Sequence, residues 1–157
     1  MIELIQDQDH ELQQLLFQTP ALITLYEVSH RGVKHLDPIE EKQAAIYLTV
    51  ICNQGPEKFK DFFKEVKKSF KHNLHALNEE LPGEAEKRRA EIEKRLRPAK
   101  KFIAQLPETH QTSFKDALFG FATHTRSVVG DTLESVILPF ISDNLRKIED
   151  ERLHRIL

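Results

Sequence analysis

The chain has 157 residues, 39% apolar and 31% charged, with a formal charge of −2. These values suit one globular domain with a real core and exclude disordered, fibrous and strongly basic or acidic classes. No stretch approaches the roughly 20 apolar residues of a bilayer span, and a lone cysteine, Cys52, excludes an internal disulfide.

Apolar spacing is helical nearly everywhere, with no sustained period-two alternation, so an all-α domain spanning 1–157 is expected. The opening "MIELIQDQDH" carries acids and no early Lys or Arg, unlike a secretory signal, which makes a cytoplasmic location the expectation. A first helix uses Leu12, Leu15 and Leu16. A second is expected from "TPALITLYEVSHRG", where Thr19 can cap, Pro20 suits the first helical position and Gly32 can end the helix.

The next helix opens at "DPIE", with Asp37 as N-cap, Pro38 in the first turn and Glu40 at the capping-box position, and "NQGP" stops it. From Pro56 a long helix carries Phe59, Phe62, Phe63, Val66, Phe70, Leu74, Leu77 and Leu81 at three-and-four spacing. "LPG" turns the chain at 81–83. A second arm repeats Ala85, Ile92, Leu96, Ala99, Ile103 and Leu106, so the two arms predict a long antiparallel hairpin with charged faces outward. Pro98 should kink the second arm.

After "LPETHQT" a helix presents Phe114, Leu118, Phe119, Phe121 and Ala122. "HTRSVVG" reads as a loop leading to a last helix capped by Asp131, with Leu133, Val136, Ile137, Phe140, Ile141, Leu145 and Ile148 inward and a bend at Pro139. The expected architecture is a bundle of about six or seven helices, its two helix–loop–helix halves separated by the hairpin.

Several familiar chemistries are missing from the sequence. The glycines at 32, 55, 83, 120 and 130 are isolated, leaving no phosphate loop or dinucleotide fingerprint, and no nucleophile elbow, paired-cysteine zinc pattern or HExxH occurs. Cys52, near a helix C-terminus, reads as a buried and inert thiol. His72 and His75 are an incomplete metal set on a solvated face. The lysines at 58, 60, 64, 67, 68 and 71 are balanced by the acids of the second arm, so no nucleic-acid partner is expected.

One pair of stretches stands out. "HRGVKHLDPIE" at 30–40 and "HTRSVVGDTLE" at 124–134 both run His, Asp seven residues on, then Glu three further. Apolar positions agree under the same alignment, including Leu25 with Phe119, Ile39 with Leu133 and Ile46 with Phe140. Asp-x-x-Glu is first of all a helix cap, worth about 1 kcal/mol. The functional alternative is a divalent-metal site at the turns, built from His30, Asp37 and Glu40 and from His124, Asp131 and Glu134. Such a donor set suits zinc or a similar borderline metal better than calcium. A metal-dependent hydrolase would further need the two histidines to converge on both acid pairs.

"VSHRGVKHLDPIEEK" and "ATHTRSVVGDTLESV" resemble degenerate versions of the paired "A-x-A-D-G-x-I-x-x-x-E" loops of the TerB-like tellurite-resistance family. The resemblance covers roughly residues 20–145. It implies a bacterial, cytoplasmic, all-helical domain with pseudo-two-fold halves, tied to tellurite and other stress responses, whose acidic loops bind divalent cations. In this chain His30 stands where the family has an acid. The expectation is therefore a non-enzymatic stress-response domain that binds a protein partner and a divalent metal, its oligomeric state open and a homodimer included. The alternative is a pure interaction or scaffolding module that docks through the charged hairpin 56–106.

Overall fold

A computed structural model describes residues 2–30, 36–137, 153 and 155–157, with side chains through His124 and again at 153 and 155–157. The protein is an all-α bundle. Six helices are described: α1 Ile2–Gln6, α2 His10–Ser29, α3 Pro38–Gln54, α4 Glu57–Glu80, α5 Ala85–Ala104 and α6 Glu108–Ile137. Among the described residues no helix is long and apolar enough to cross a membrane.

Helix α2 differs from the expected pair of helices. It runs unbroken through Thr19 and Pro20, with Asp9 as its cap accepting from the Leu12 amide. Pro20 cannot donate to the Leu16 carbonyl, and a break would be the ordinary result. Burial opposes it: every residue from Thr19 to Ser29 is buried. Thr19 is not a cap; its Oγ1 donates back to the Leu15 carbonyl at 2.9 Å. Thr24 does the same to the Pro20 carbonyl at 2.9 Å. A helix enclosed on all sides has no polar face, so its periodicity is weak as a signal. Gly32, the expected terminator, lies outside the described residues; the helix ends at Ser29, with the His30 amide donating to the Glu27 and Val28 carbonyls.

The enclosing layer comes from α4, α5 and α6, each packed on α2. The α4 stripe is buried as the sequence predicts, from Phe59 to Leu77. Phe17 of α2 stacks on Phe62 at 5.6 Å, and Phe62 and Phe63 meet Phe114 of α6. The chain turns between α4 and α5 at 81–84, where the sequence predicts it, but the two arms of the expected hairpin pack on α2 rather than along each other. The arms splay to admit α2: the Tyr26 hydroxyl donates to Glu93 at 3.2 Å and Arg89 donates to the Ser29 carbonyl at 2.9 Å. Pro98 lies inside α5, across a cleft from Leu12 and Leu15.

Helix α3 packs on α4 and α6 on the opposite side of the bundle. Asp37 caps it as expected, accepting from the Ile39 amide at 2.8 Å, with Pro38 at its start. Replacing Asp37 with Ala should cost about 1 kcal/mol in urea denaturation through loss of that cap.

The second expected turn is absent. Helix α6 continues through 124–130, and Asp131 and Glu134 fall within it rather than at a helix start. An interior Gly costs a helix only about 1 kcal/mol, so Gly130 does not force a break. The core positions expected at Phe140, Ile141, Leu145 and Ile148, and the bend at Pro139, lie outside the described residues. Leu153, Ile156 and Leu157 are buried, and Lys100 donates to the Arg155 carbonyl at 3.0 Å.

Candidate functional site

The structure gives the paired motifs different surroundings. His30 closes α2, its ring edge-on to Tyr26 at 4.7 Å. Asp37 is exposed and spends Oδ1 on the cap. Glu40 is buried at 3% exposure, as is Glu27 at 2%, and neither carboxylate is without a partner. His124 belongs to a helix and not a loop; its Nδ1 donates to the Gly120 carbonyl at 2.9 Å. Asp131 and Glu134 have their backbones in α6, and their side chains lie outside the described set. Among the described residues no three His, Cys, Asp or Glu side chains form a group that could hold a metal.

The other sequence candidates are ordinary. Cys52 is buried, and burial pushes its thiol up. His72 is exposed, while His75 bridges α4 to α3 through Glu41 at 2.9 Å.

A different surface emerges on α3. Its inner residues Ala44, Leu48, Ile51 and Cys52 are buried, yet Ile39, Ile46 and Val50 are 50%, 45% and 43% exposed. Together with Gln43 and Asn53 they fall alternately four and three residues apart, the spacing of a seam that packs against another helix. The seam borders a groove of about 460 Å³ between α3 and α6, lined by Tyr47, Val50, Gln54 and Asp116 among others.

Tyr47 lines that groove. Its ring stacks on His124 at 4.3 Å and meets the edge of Phe121 at 4.8 Å. Its hydroxyl donates to the Ala117 carbonyl at 2.8 Å. Burial, and then the nearby Asp116 carboxylate, push the phenol up to about 12. The folded state therefore holds this proton more tightly than the unfolded chain, whose tyrosine titrates near ~10. The resulting stability is complete below about pH 10 and is lost as pH rises toward 12. Tyr47→Phe should cost about 1 kcal/mol at neutral pH, from the lost hydrogen bond. It should also flatten the alkaline fall in stability, read by denaturant midpoints across that range.

The fold is an all-helical bundle, and on one outer helix a seam carrying Ile39, Ile46 and Val50 is left largely uncovered by the described residues. No family model, curated protein or solved structure matches the chain. The seam escaped the sequence reading because Ile39 and Ile46 look like core positions; the one available signal was a second apolar set on a helix that already had a complete inner face.

Proposed function

We propose that this protein is a helical protein-binding module rather than an enzyme, and that a partner docks on the outer face of α3. The observation that carries the reading is the exposure of Ile39, Ile46 and Val50 at seam spacing beside the Tyr47 groove. Scattered exposed apolar residues mean little, but apolar residues repeated along one helix face beside a groove suit an interaction surface. The expected role in a bacterial stress-response complex rests on the TerB-like resemblance of the first turn alone, since the second motif lies inside α6. On this reading the surface lies on α3 rather than on the hairpin 56–106, whose outward residues are mostly charged and partly paired, as in Lys60–Glu57 and Lys68–Glu65. The acids of the first turn act as helix cap and buried polar groups, with no metal needed for docking.

A photocrosslinking residue placed singly at 46, 50, 68 and 94 in cells separates the two docking surfaces. Adducts with one partner at 46 and 50, and none at 68 or 94, are the expected result. Adducts confined to 68 and 94 would move the interface to the hairpin.

A further inference from the structure

Resting on that docking face, we propose that its occupant is an amphipathic helix with a particular flank charge: a basic residue on the side of Asp116 and an acidic residue on the side of Lys42, about two turns apart. Helical geometry fixes the two flanks. At 3.6 residues per turn, Tyr47 and Gln54 lie on the α6 side of the seam and Lys42 and Thr49 on the α4 side. Contacts agree with this assignment: Tyr47 meets Phe121 and His124 of α6, whereas Glu41 meets His75 of α4.

Among the described residues Asp116 is the sole charged one lining the groove; Lys115, its neighbour, does not line it. Among the described residues neither Asp116 nor Lys42 makes an ion pair. A helix laid on the seam would cover the groove and strip water from Asp116. A carboxylate desolvated without a counter-charge costs far more than a rim contact, so a partner that fits must bring a cation there. Lys42, some eight residues before Val50, is displaced along α3 by about 12 Å at 1.5 Å per residue. It asks for an acid on the opposite flank of the partner, about two turns away from the cation.

A second copy of the chain does not meet this pattern. In a two-fold pair with α3 helices antiparallel, both Lys42 side chains lie on one flank and both Asp116 on the other. With the helices parallel, each Lys42 lies toward the end of the interface away from both Asp116 residues.

The test uses a displayed library of amphipathic helices with a fixed leucine seam and randomised flanks, selected against the full chain. Enriched helices should carry Lys or Arg on the Asp116 flank and Asp or Glu on the other. The best synthetic peptide should lose about tenfold in affinity against Asp116→Lys, the scale of 1.4 kcal/mol, and selection on that variant should enrich an acid in place of the base. Enrichment without charge bias, or affinity untouched by Asp116→Lys, overturns the proposal while leaving the docking face standing. Peptides that bind equally to an Ile46→Lys/Val50→Lys variant remove the docking face itself. No enrichment, or a dimer in sedimentation that the same double variant dissolves, also overturns it, the latter by assigning the face to a second copy.

Discussion

Arg88→Ala should lower stability by about 2–4 kcal/mol, measured as a fall in the urea midpoint at unchanged slope. Arg88 sits in the first turn of α5 and is only 5% exposed. It faces three neutral oxygens rather than a carboxylate. Nε donates to the Pro82 carbonyl at 2.8 Å, and the two terminal nitrogens donate to the Asn78 side chain at 2.6 Å and the Asn78 carbonyl at 2.7 Å. The guanidinium thus ties the end of α4, the turn and the start of α5 into one unit. Removing it leaves two backbone carbonyls and an amide oxygen short of their donor in a half-buried turn, which is the expensive direction for a hydrogen bond. Lysine should recover less than half of the loss, because a single ammonium cannot reproduce the fork that reaches acceptors on two sides. Full rescue by Arg88→Lys would show that charge alone, and not the fork, holds the turn.

The second large effect runs against helix propensity. Gly120→Ala places a methyl in the interior of α6, which ordinarily stabilises by about 1 kcal/mol. Here the added Cβ would fall inside van der Waals contact of the Tyr47 hydroxyl and ring. The ring cannot easily slide aside, being stacked on His124, set against Phe121 and hydrogen-bonded to Ala117. Overpacking of this kind costs about 1–3 kcal/mol, and loss of the hydroxyl's bond adds about 1. The net expectation is a loss of about 1–3 kcal/mol once the propensity gain is counted. In a Tyr47→Ala background the same Gly120→Ala change should reverse sign and stabilise, since the ring is gone. A double-mutant cycle in thermal or urea denaturation reads that reversal directly. A loss of the same size in both backgrounds would place the cost elsewhere than at the ring.

The parts of the fold that could be read from sequence are those with one apolar and one polar face. The α4 stripe from Phe59 to Leu77 is legible for that reason, and the start of α3 is legible from the capping chemistry of Asp37–Pro38. The second half of α2, residues 19–29, is not, because enclosure on every side erases the pattern that marks a helix face, and Pro20 supplies a false start. The second turn misled through shared chemistry: Gly, Asp and Glu form caps, but the same residues occur inside helices when nothing else stops them. Arg88 was hidden among the charges of α5, since nothing local distinguishes a buried cation from a solvated one.

The candidate site shows the same limit. The Asp-x-x-Glu pair reads first as a helix cap and only otherwise as metal ligands; Asp37 is the cap, while Glu40 is buried, which the local pattern does not signal. His124 was singled out as a loop residue, and it is a stacking partner of Tyr47 instead. What marks the α3 face is the exposure of Ile39, Ile46 and Val50 among the described residues, and exposure is a property of the whole bundle rather than of any segment.

The central claim is that this face binds a partner and that the fold does not depend on it. The direct measurement is made on the Ile46→Lys/Val50→Lys double variant. Exposed substitutions of this type move stability by no more than about 0.5 kcal/mol each, so its denaturation midpoint should match that of the parent chain. The partner crosslinked through position 46 or 50 should no longer co-purify with it. A double variant that keeps that partner at parental yield would contradict the account, as would one that loses it only because it unfolds.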